Sequence, residues 1–212
     1  MRGVLITVEG VEGSGKSSHC RRLAERLRAR GQDVVVTSEP DGTALGAGIR
    51  ALFEGGAPPP TPLAQALLFM AARQQHVVQV IRPALERGAT VLSDRYADAT
   101  VAYQGFAQGV DLDTVRDLNL LATGGVLPDL TLLLDLAPEI GLARIHGRRL
   151  DAFERMGLEF HRRVRDGYLE IARGDKARVV VLDADRSPED LHAAVMAAVD
   201  EWLERRGGRG AG

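Results

Sequence analysis

The feature that most constrains the fold of this chain is a glycine-rich loop that follows an apolar run near the N-terminus. Residues 4–8, VLITV, are rich in β-branched side chains, which predicts a strand buried on both faces of a parallel sheet. Residues 10–17, GVEGSGKS, match the pattern G-x-x-x-x-G-K-[S/T] and precede a predicted helix. Glycines at this spacing let successive backbone N–H groups surround a phosphate, and the helix adds its positive dipole end. We therefore predict that ATP is bound by Gly10, Val11, Glu12, Gly13, Ser14, Gly15, Lys16, Ser17 and Ser18.

Two side chains of this loop have specific predicted roles. Lys16 is expected to reach the β- and γ-phosphates as a catalytic residue, and the Ser17 hydroxyl is expected to bind Mg²⁺. Only two of the 27 basic residues are lysines, Lys16 and Lys176. A lysine at this position therefore stands out in a sequence that otherwise uses arginine. ATP is the predicted phosphoryl donor, and Mg²⁺ the predicted cofactor.

Strands and helices alternate along the whole chain. The predicted strands occupy residues 4–8, 34–37, 90–93, 130–136 and 179–182. The predicted helices occupy residues 17–30, 45–53, 62–87, 113–123, 138–148, 153–173 and 188–206, with Pro83 kinking or restarting the end of the third. This alternation predicts an α/β fold with a doubly wound, five-stranded parallel sheet that is flanked by helices. We expect a single domain over residues 1–206 with a short lid at about 144–155, and a disordered tail at 207–212.

Composition and charge narrow the function classes. The formal net charge is −2, and without a basic excess neither polymeric nucleic acid nor an anionic membrane is an expected partner. No apolar stretch reaches the roughly 18 residues that cross a bilayer. The single cysteine, Cys20, indicates a reducing compartment, and the first predicted strand begins too early for a signal peptide. A cytoplasmic location is the expectation.

The residues after the third predicted strand narrow the class of phosphate-loop protein. The guanine-reading motif N-K-x-D of regulatory GTPases does not occur in the sequence. Asp94, Arg95 and Tyr96 follow the strand at residues 90–93, beside the phosphate loop if the two strands are neighbours. Asp94 could hold Mg²⁺, directly or through water, and Arg95 could bridge donor and acceptor phosphates. Without the phosphate loop, Asp94 and Arg95 could equally be an ion pair that closes the strand end. Together with the phosphate loop, they favour a small kinase.

Longer stretches of the sequence resemble the bacterial thymidylate kinase family. The similarity extends from the first strand to at least Tyr168, and E-P-x-G-T, F-x-x-x-R, D-R-Y and A-Y-Q-G in this order are more specific than the phosphate loop alone. The segments that carry it are EGVEGSGKSS (9–18), SEPDGT (38–43), FMAARQQH (69–76), SDRYADATVAYQG (93–105), PDLTLLLDL (128–136) and LDAFERMGLEFHRRVRDGYLEIA (150–172). The resemblance implies transfer of the ATP γ-phosphoryl group to dTMP, giving dTDP, by a homodimeric enzyme.

By motif position, the resemblance also implies where the nucleoside of dTMP binds. Phe69 would stack on the thymine ring and Arg73 would bind its carbonyl edge, and a spacing of four places both on one helix face. Tyr103 would lie against the deoxyribose, and Gln104 would reach the base. The serine usual before A-Y-Q-G is replaced by alanine here, which leaves Thr100 as the nearby hydroxyl.

The resemblance further implies how the phosphate end of dTMP is held. Arg95, helped by Arg50, would bind the acceptor phosphate. Glu12, inside the phosphate loop, would lie near the sugar 3′-hydroxyl. Glu39, from the E-P-x-G-T motif, would lie near the metal and the phosphates.

A further cation is needed for catalysis. Phosphoryl transfer depends on positioning and on positive charge over the migrating group. The variable loop positions, residues 11–14, contain no basic residue, so the lid is expected to supply one. We hypothesise that Arg148 or Arg149 closes on the bridge between the β- and γ-phosphates, with Arg144 at ATP, although any one of these arginines could be a plain surface charge.

The lid also departs from the family pattern. Ala152 stands where the motif D-R-x-E has its arginine, and Met156 stands where a glutamate is usual. Residues 183–186, after the final strand, either border the adenine or form a simple turn. Two other functions stay open: a P-loop kinase for another nucleoside or nucleoside monophosphate, and a regulatory protein that binds ATP without acceptor-dependent turnover.

Overall fold

The structure is a computed structural model that describes residues 2–54, 58–147 and 150–208. Its strands form one sheet in which neighbouring strands are parallel, in the order β2-β3-β1-β4-β5. The strands are β1 Val4–Glu9, β2 Val34–Ser38, β3 Thr90–Asp94, β4 Leu130–Asp135 and β5 Val179–Asp183. The predicted five-stranded parallel sheet is confirmed, and each strand ends within one residue of its predicted bound.

The α-helices agree with most of the predicted ones. They are α1 Lys16–Ala29, α2 Ala44–Glu54, α3 Pro62–His76, α4 Arg82–Glu86, α5 Ala97–Thr100, α6 Leu112–Thr123, α7 Pro138–Arg144, α8 Leu158–Gly174 and α9 Pro188–Gly208. Compared with the predictions, α7 ends four residues earlier and α8 begins five residues later. None of the helices described here is both long and apolar enough to cross a membrane.

The end of α9 corrects one prediction. The helix continues to Gly208, so the segment predicted to be disordered from residue 207 begins with helical residues. The prediction stopped the helix at the first of two glycines, because glycine is a common residue just past a helix end. Residues 209–212 lie outside the described part of the chain.

Two π-helical segments, Val77–Ile81 and Val101–Ala107, interrupt the α-helical geometry. The first connects α3 to α4 just before Pro83, which has no N–H to donate and whose ring crowds the carbonyl four residues earlier. The wider turn at Val77–Ile81 accommodates Pro83 without breaking the helical path predicted over residues 62–87. The second extends α5, where the sequence pattern predicts no helix, and it carries Tyr103.

Helices cover both faces of the sheet, and β1 is therefore buried on both faces. Ile6 belongs to an apolar cluster that includes Leu23 of α1 and Val164 of α8. The next residue toward the N-terminus, Leu5, belongs to a second cluster that includes Ile81. Alternate residues of one strand therefore enter two separate cores, as a doubly wound sheet requires.

The pairing of β1 with β3 places the candidate site. Val8 lies opposite Asp94 in the parallel register, and Ser38 of β2 pairs with Asp94 from the other side. Because parallel strands end at one edge of the sheet, the segments that follow β1, β2 and β3 converge there. The neighbouring positions of β1 and β3, on which the predicted meeting of the phosphate loop with Asp94 and Arg95 depended, are therefore confirmed.

Candidate active site

The phosphate loop adopts a backbone that its glycines permit. Gly10, Gly13 and Gly15 have φ angles of 142°, 73° and 92°, and α1 begins directly after Gly15. The loop also packs closely against α7, since a Cβ on Gly13 would lie 2.2 Å from the carbonyl oxygen of Gly141. Contact between the two backbones therefore fixes the loop, and a side chain at Gly13 would displace it.

Lys16 lies across the phosphate loop. Its Nζ donates to the Val11 carbonyl at 2.8 Å, and the side chain is almost completely buried. Burial lowers the pKa of Lys16 and the charge of Arg95 lowers it further, while Glu12 and Asp94 oppose that change. The ammonium group is thus positioned at the loop, and a phosphate oxygen could replace the carbonyl as its partner.

Ser17 and Asp94 meet at the start of α1. The Ser17 hydroxyl donates to Oδ2 of Asp94. This contact follows from the sheet register, because Asp94 ends the strand that is paired with β1. A hydroxyl and a carboxylate are hard oxygen ligands of the type that Mg²⁺ prefers, so these two residues fit a magnesium site.

Arg95 and Glu12 form an ion pair at the centre of the site. The Tyr103 hydroxyl donates to Oε1 of Glu12 at 2.9 Å, and the Arg95 guanidinium lies over the Tyr103 ring at 5.0 Å. Burial alone would raise the pKa of Glu12, but Arg95 and Lys16 outweigh it and lower that pKa to about 2. Glu12 is therefore ionised at neutral pH.

Glu9 supports Arg95 from behind and has no role in the sequence analysis. Its Oε1 accepts the backbone N–H of Tyr96 at 2.6 Å, and its Oε2 accepts the hydroxyl of Tyr168 at 2.8 Å. Burial, and then the charge of Asp98, raise the pKa of Glu9 to about 8, although Arg95 opposes the shift. An acidic residue that ends an otherwise apolar strand is the sequence signal that could have revealed it.

Arg73 lies behind the wall of the site, where it is 2% exposed. Its guanidinium donates to Glu39, Thr100 and Asn119 at 2.7–3.1 Å and to the backbone carbonyl of Tyr96 at 2.9 Å. Its Nη2 also lies 2.7 Å from Oε2 of Glu39 in a buried ion pair. Arg73 does not line the cavity, so the predicted contact with the base would require its side chain to move away from these partners.

His76 extends this buried network. Its ring nitrogens bond Thr37 at 2.6 Å and Glu39 at 3.1 Å. Glu39 is thus held between Arg73 and His76, both of which lie on α3. The sequence analysis assigns His76 no role; its spacing of three from Arg73 on one helix face is a signal that could have indicated a shared partner.

Aromatic side chains form the opposite wall. Phe69 stacks on Phe53 with a centroid separation of 5.1 Å, and the Phe153 ring lies 5.9 Å from both Phe69 and Tyr103. The sequence analysis assigns Phe53 and Phe153 no role. Gln104 bonds Gln65 at 3.2 Å, which fixes the orientation of its amide group near this wall.

A cavity of about 720 Å³ joins these parts. Of the predicted site residues, it is lined by Glu12, Gly13, Gly15, Lys16, Ser17, Ser18, Glu39, Arg50, Phe69, Asp94, Arg95, Thr100, Tyr103, Gln104 and Arg144. Four others, Gly10, Val11, Ser14 and Arg73, do not line it. The predicted catalytic residues Arg148 and Arg149 lie outside the described residues.

Two further arginines, Arg144 and Arg50, line the cavity. Arg144 donates to the carbonyls of Gly13 at 3.4 Å and Ala184 at 3.3 Å, and so connects the phosphate loop to the turn at residues 183–186. Arg50 lies 3.5 Å from Asp41 and 4.0 Å from Asp151 of the predicted lid. The turn at 183–186 closes on itself through Asp183, and its predicted contact with adenine stays a prediction.

The fold and the site together define a P-loop kinase of the nucleoside monophosphate type. A phosphate loop lies at the carboxyl edge of a five-stranded parallel sheet, and the same cavity continues to a second region lined by arginine and aromatic side chains. This pairing of a triphosphate site with a neighbouring acceptor site is what transfer between two nucleotides requires.

The chain belongs to the thymidylate kinase family, whose family model matches residues 8–195. It is 48% identical to the thymidylate kinase of Deinococcus radiodurans, over 94% of this chain and 98% of that protein. It is 49% identical to the thymidylate kinase of Synechococcus sp. strain JA-3-3Ab, over 94% and 97% of the two chains. The crystal structure of thymidylate kinase from Ehrlichia chaffeensis matches with a TM-score of 0.77 and 33% identity, over 94% of this chain and 99% of that one. The family indicated by the sequence motifs is confirmed.

The raised pKa of Glu9 predicts a pH effect on stability. Because the pKa of Glu9 is about 8 in the folded protein and ordinarily 4.5, the folded state binds an extra proton between these pH values. The contribution of Glu9 to stability is therefore present below pH 4.5 and is lost as the pH rises through 8. Relative to Glu9→Gln, the wild type should lose up to about 1.4 kcal/mol of unfolding free energy per pH unit in this window, measured by urea denaturation.

A matched control is Glu139→Gln. Glu139 is a half-exposed carboxylate whose pKa is lowered, through hydrogen bonds from its own backbone and from Arg162. Its difference from the wild type should stay constant from pH 5 to 8. If the Glu9→Gln difference is also constant over that range, Glu9 does not titrate there.

Proposed function

We propose that this chain transfers the γ-phosphoryl group of ATP to dTMP, giving ADP and dTDP. The observation that carries the proposal is that one cavity is lined both by Lys16 of the phosphate loop and by Phe69 and Tyr103. Donor and acceptor phosphates must meet nearly in line, so both nucleotides need one continuous space. Membership of the thymidylate kinase family supports this pair of substrates.

The Glu12–Arg95 ion pair suggests how the acceptor enters. The phosphate of dTMP is largely a dianion at neutral pH, and a guanidinium fork suits its oxygens. It would compete with Glu12 for Arg95, while Arg50 at the rim adds a second positive charge. The released Glu12 carboxylate, ionised because its pKa is about 2, could then accept a hydrogen bond from the sugar 3′-hydroxyl.

The transfer step needs no strong general base, because the attacking atom is a phosphate oxygen that is already ionised. Catalysis then depends on holding the two phosphates close and neutralising the charge between them. Lys16 and Arg95 both line the cavity. We assign both residues to the stabilisation of the migrating group.

Mg²⁺ is the proposed cofactor, held by Ser17 and by Asp94, either directly or through water. When bound there, the ion would neutralise negative charge on the phosphates of ATP. Ser17 and Asp94 bond each other, and both residues line the cavity. Glu39, at the edge of the same cavity, is the next carboxylate in reach of the phosphates in this proposal.

An arginine of the lid is proposed as the remaining cation, since the phosphate loop has none. We expect the double substitution Arg148→Ala/Arg149→Ala to lower kcat by about 10³-fold, as arginines over a migrating phosphoryl group are worth about 10³–10⁵. Steady-state kinetics with saturating ATP and dTMP measures this. Arg173→Ala, which removes an exposed arginine of α8, should leave kcat unchanged. A kcat close to the wild type in the double variant would exclude a catalytic role for these two arginines.

The acceptor is tested by ADP release with dTMP, dUMP, dCMP, dAMP and dGMP as alternatives. We expect the highest kcat/KM with dTMP and a dependence on added Mg²⁺. Selection by a single methyl group is worth only about 1–3 kcal/mol, so dUMP should be used about 10–200-fold less well. Equal rates with several acceptors would instead support a kinase of broader specificity. ATP binding without turnover on any acceptor would support the regulatory alternative.

We also propose that the chain forms a homodimer through the face made by α3 and α6, which pack against each other. Leu63 and Leu67 of α3 share one helix face, and both are about half exposed. Leu120 and Leu121 of α6 are exposed by 57% and 78%. The interface proposed here consists of these exposed apolar side chains on two packed helices, since clustered exposed apolar surface marks interaction sites.

Sedimentation velocity should show a dimer for the wild type and a monomer for Leu67→Glu, because an ionised carboxylate would be buried in the contact. Val181→Glu places the same charge at a similarly exposed residue of the edge strand β5, and it should leave the dimer intact. A wild-type monomer, or a dimer that survives Leu67→Glu, would contradict the proposed interface.

A further inference from the structure

Arg95 is held in a backbone conformation that needs support. Its φ of 69° is the only positive value of a non-glycine residue in the described ranges. The left-handed region costs an L-residue roughly 1–2 kcal/mol and persists where the surroundings fix it. Two backbone hydrogen bonds do so here: the N–H of Arg95 donates to the Val8 carbonyl at 3.1 Å, and the N–H of Tyr96 donates to Glu9.

Glu9 also reaches the side chain of Arg95 through Tyr168. The Tyr168 hydroxyl, which donates to Glu9, lies 3.4 Å from Nη1 of Arg95. The two oxygens of one fully buried carboxyl group therefore support the same arginine twice, once through its backbone and once through its guanidinium. Glu9 itself has no direct bond to Arg95 among the hydrogen bonds described.

The supports of Arg95 differ in whether a substrate can displace them. Glu12 lines the cavity, so an acceptor phosphate competes with it directly for the guanidinium. Glu9 and Tyr168 do not line the cavity, and both are almost completely buried. When the Glu12 ion pair is exchanged for a phosphate, the guanidinium would keep its contact with Tyr168, and the backbone of Arg95 would keep its bonds to Val8 and Ser93.

We propose that Glu9 is a positioning residue for the acceptor phosphate, because it fixes the turn at Arg95 through Tyr96 and the Arg95 side chain through Tyr168. The inference rests on the proposed function, in which Arg95 binds that phosphate. The charge state of Glu9 agrees with it. Burial raises the pKa of Glu9 to about 8, so near neutral pH much of this carboxyl group is uncharged and does not repel the arriving dianion.

Glu9→Leu and Glu9→Gln test the role together. Leucine is similar in size but accepts no hydrogen bond, whereas glutamine keeps an oxygen for the Tyr96 N–H and an amide that can donate to Tyr168. We expect Glu9→Leu to raise KM for dTMP about tenfold, since a buried N–H loses its acceptor and the turn relaxes. KM for ATP should change by less than about twofold, because the phosphate loop is untouched. Glu9→Gln should stay close to the wild type for both substrates.

Asp135→Asn is the control. Asp135 is another partly buried carboxylate at the end of a strand, but it bonds Arg165 at 2.6 Å and is not among the charges that act on Glu9. It should lower Tm without changing KM for dTMP. If Glu9→Leu has a wild-type KM for dTMP, or an equal rise in KM for both substrates, the positioning role is overturned.

Tyr168→Phe tests the positioning role if Glu9→Leu does not fold. It removes the hydroxyl that joins Glu9 to Arg95, and a rise in KM for dTMP alone supports the role, whereas two unchanged KM values overturn it. The wild type is assayed in the same series. No turnover of dTMP by the wild type would reject the proposed function, while normal wild-type turnover with unaltered variants would reject only the role of Glu9.

Discussion

The parallel pairing of β1 with β3 is the constraint on which the rest of the site depends. It sets Val8 opposite Asp94, and so brings the phosphate loop and the turn at Arg95 to one edge of the sheet. A slip of one residue would turn every β1 side chain to the other face and exchange the places of Leu5 and Ile6 in two different cores. The burial of apolar side chains thus fixes the register of β1, and this register places the polar groups of the site.

The charged side chains at this edge of the sheet are paired with one another in the structure. A buried charge without a partner is costly, and here the Arg95 guanidinium has Glu12 while the Arg73 guanidinium has Glu39. In the proposed mechanism, binding of the acceptor would exchange one partner for another and leave the buried charges nearly balanced. Such a site is preorganised, because its donors are oriented before the reaction and need little rearrangement during it.

Features that depend on neighbouring residues along the chain can be predicted from the sequence. Buried parallel strands are continuous apolar runs, and the phosphate loop has a glycine spacing that its backbone geometry requires. The predicted positions of both agree with the structure. The π-helical segment Val101–Ala107 follows neither the 3.6-residue nor the two-residue period, and no helix was predicted there. The burial of Arg73 depends on Glu39 and Asn119, which come from distant segments. Spacing places Phe69 and Arg73 on one helix face but does not show that only Phe69 reaches the cavity.

The side chains of the site fall into two groups: those that line the cavity and those that support Arg95 from behind. Lys16, Ser17 and Glu12 face the cavity, and each bonds another group of the protein where a phosphate, a metal or a sugar would replace it. The supports behind Arg95, which are Glu9 and Tyr168, do not line the cavity. In the proposed mechanism, the first group exchanges partners with the ligands while the second holds Arg95 in place. Affinity for the acceptor would then depend on residues outside the cavity lining, since positioning supplies most of what phosphoryl transfer requires.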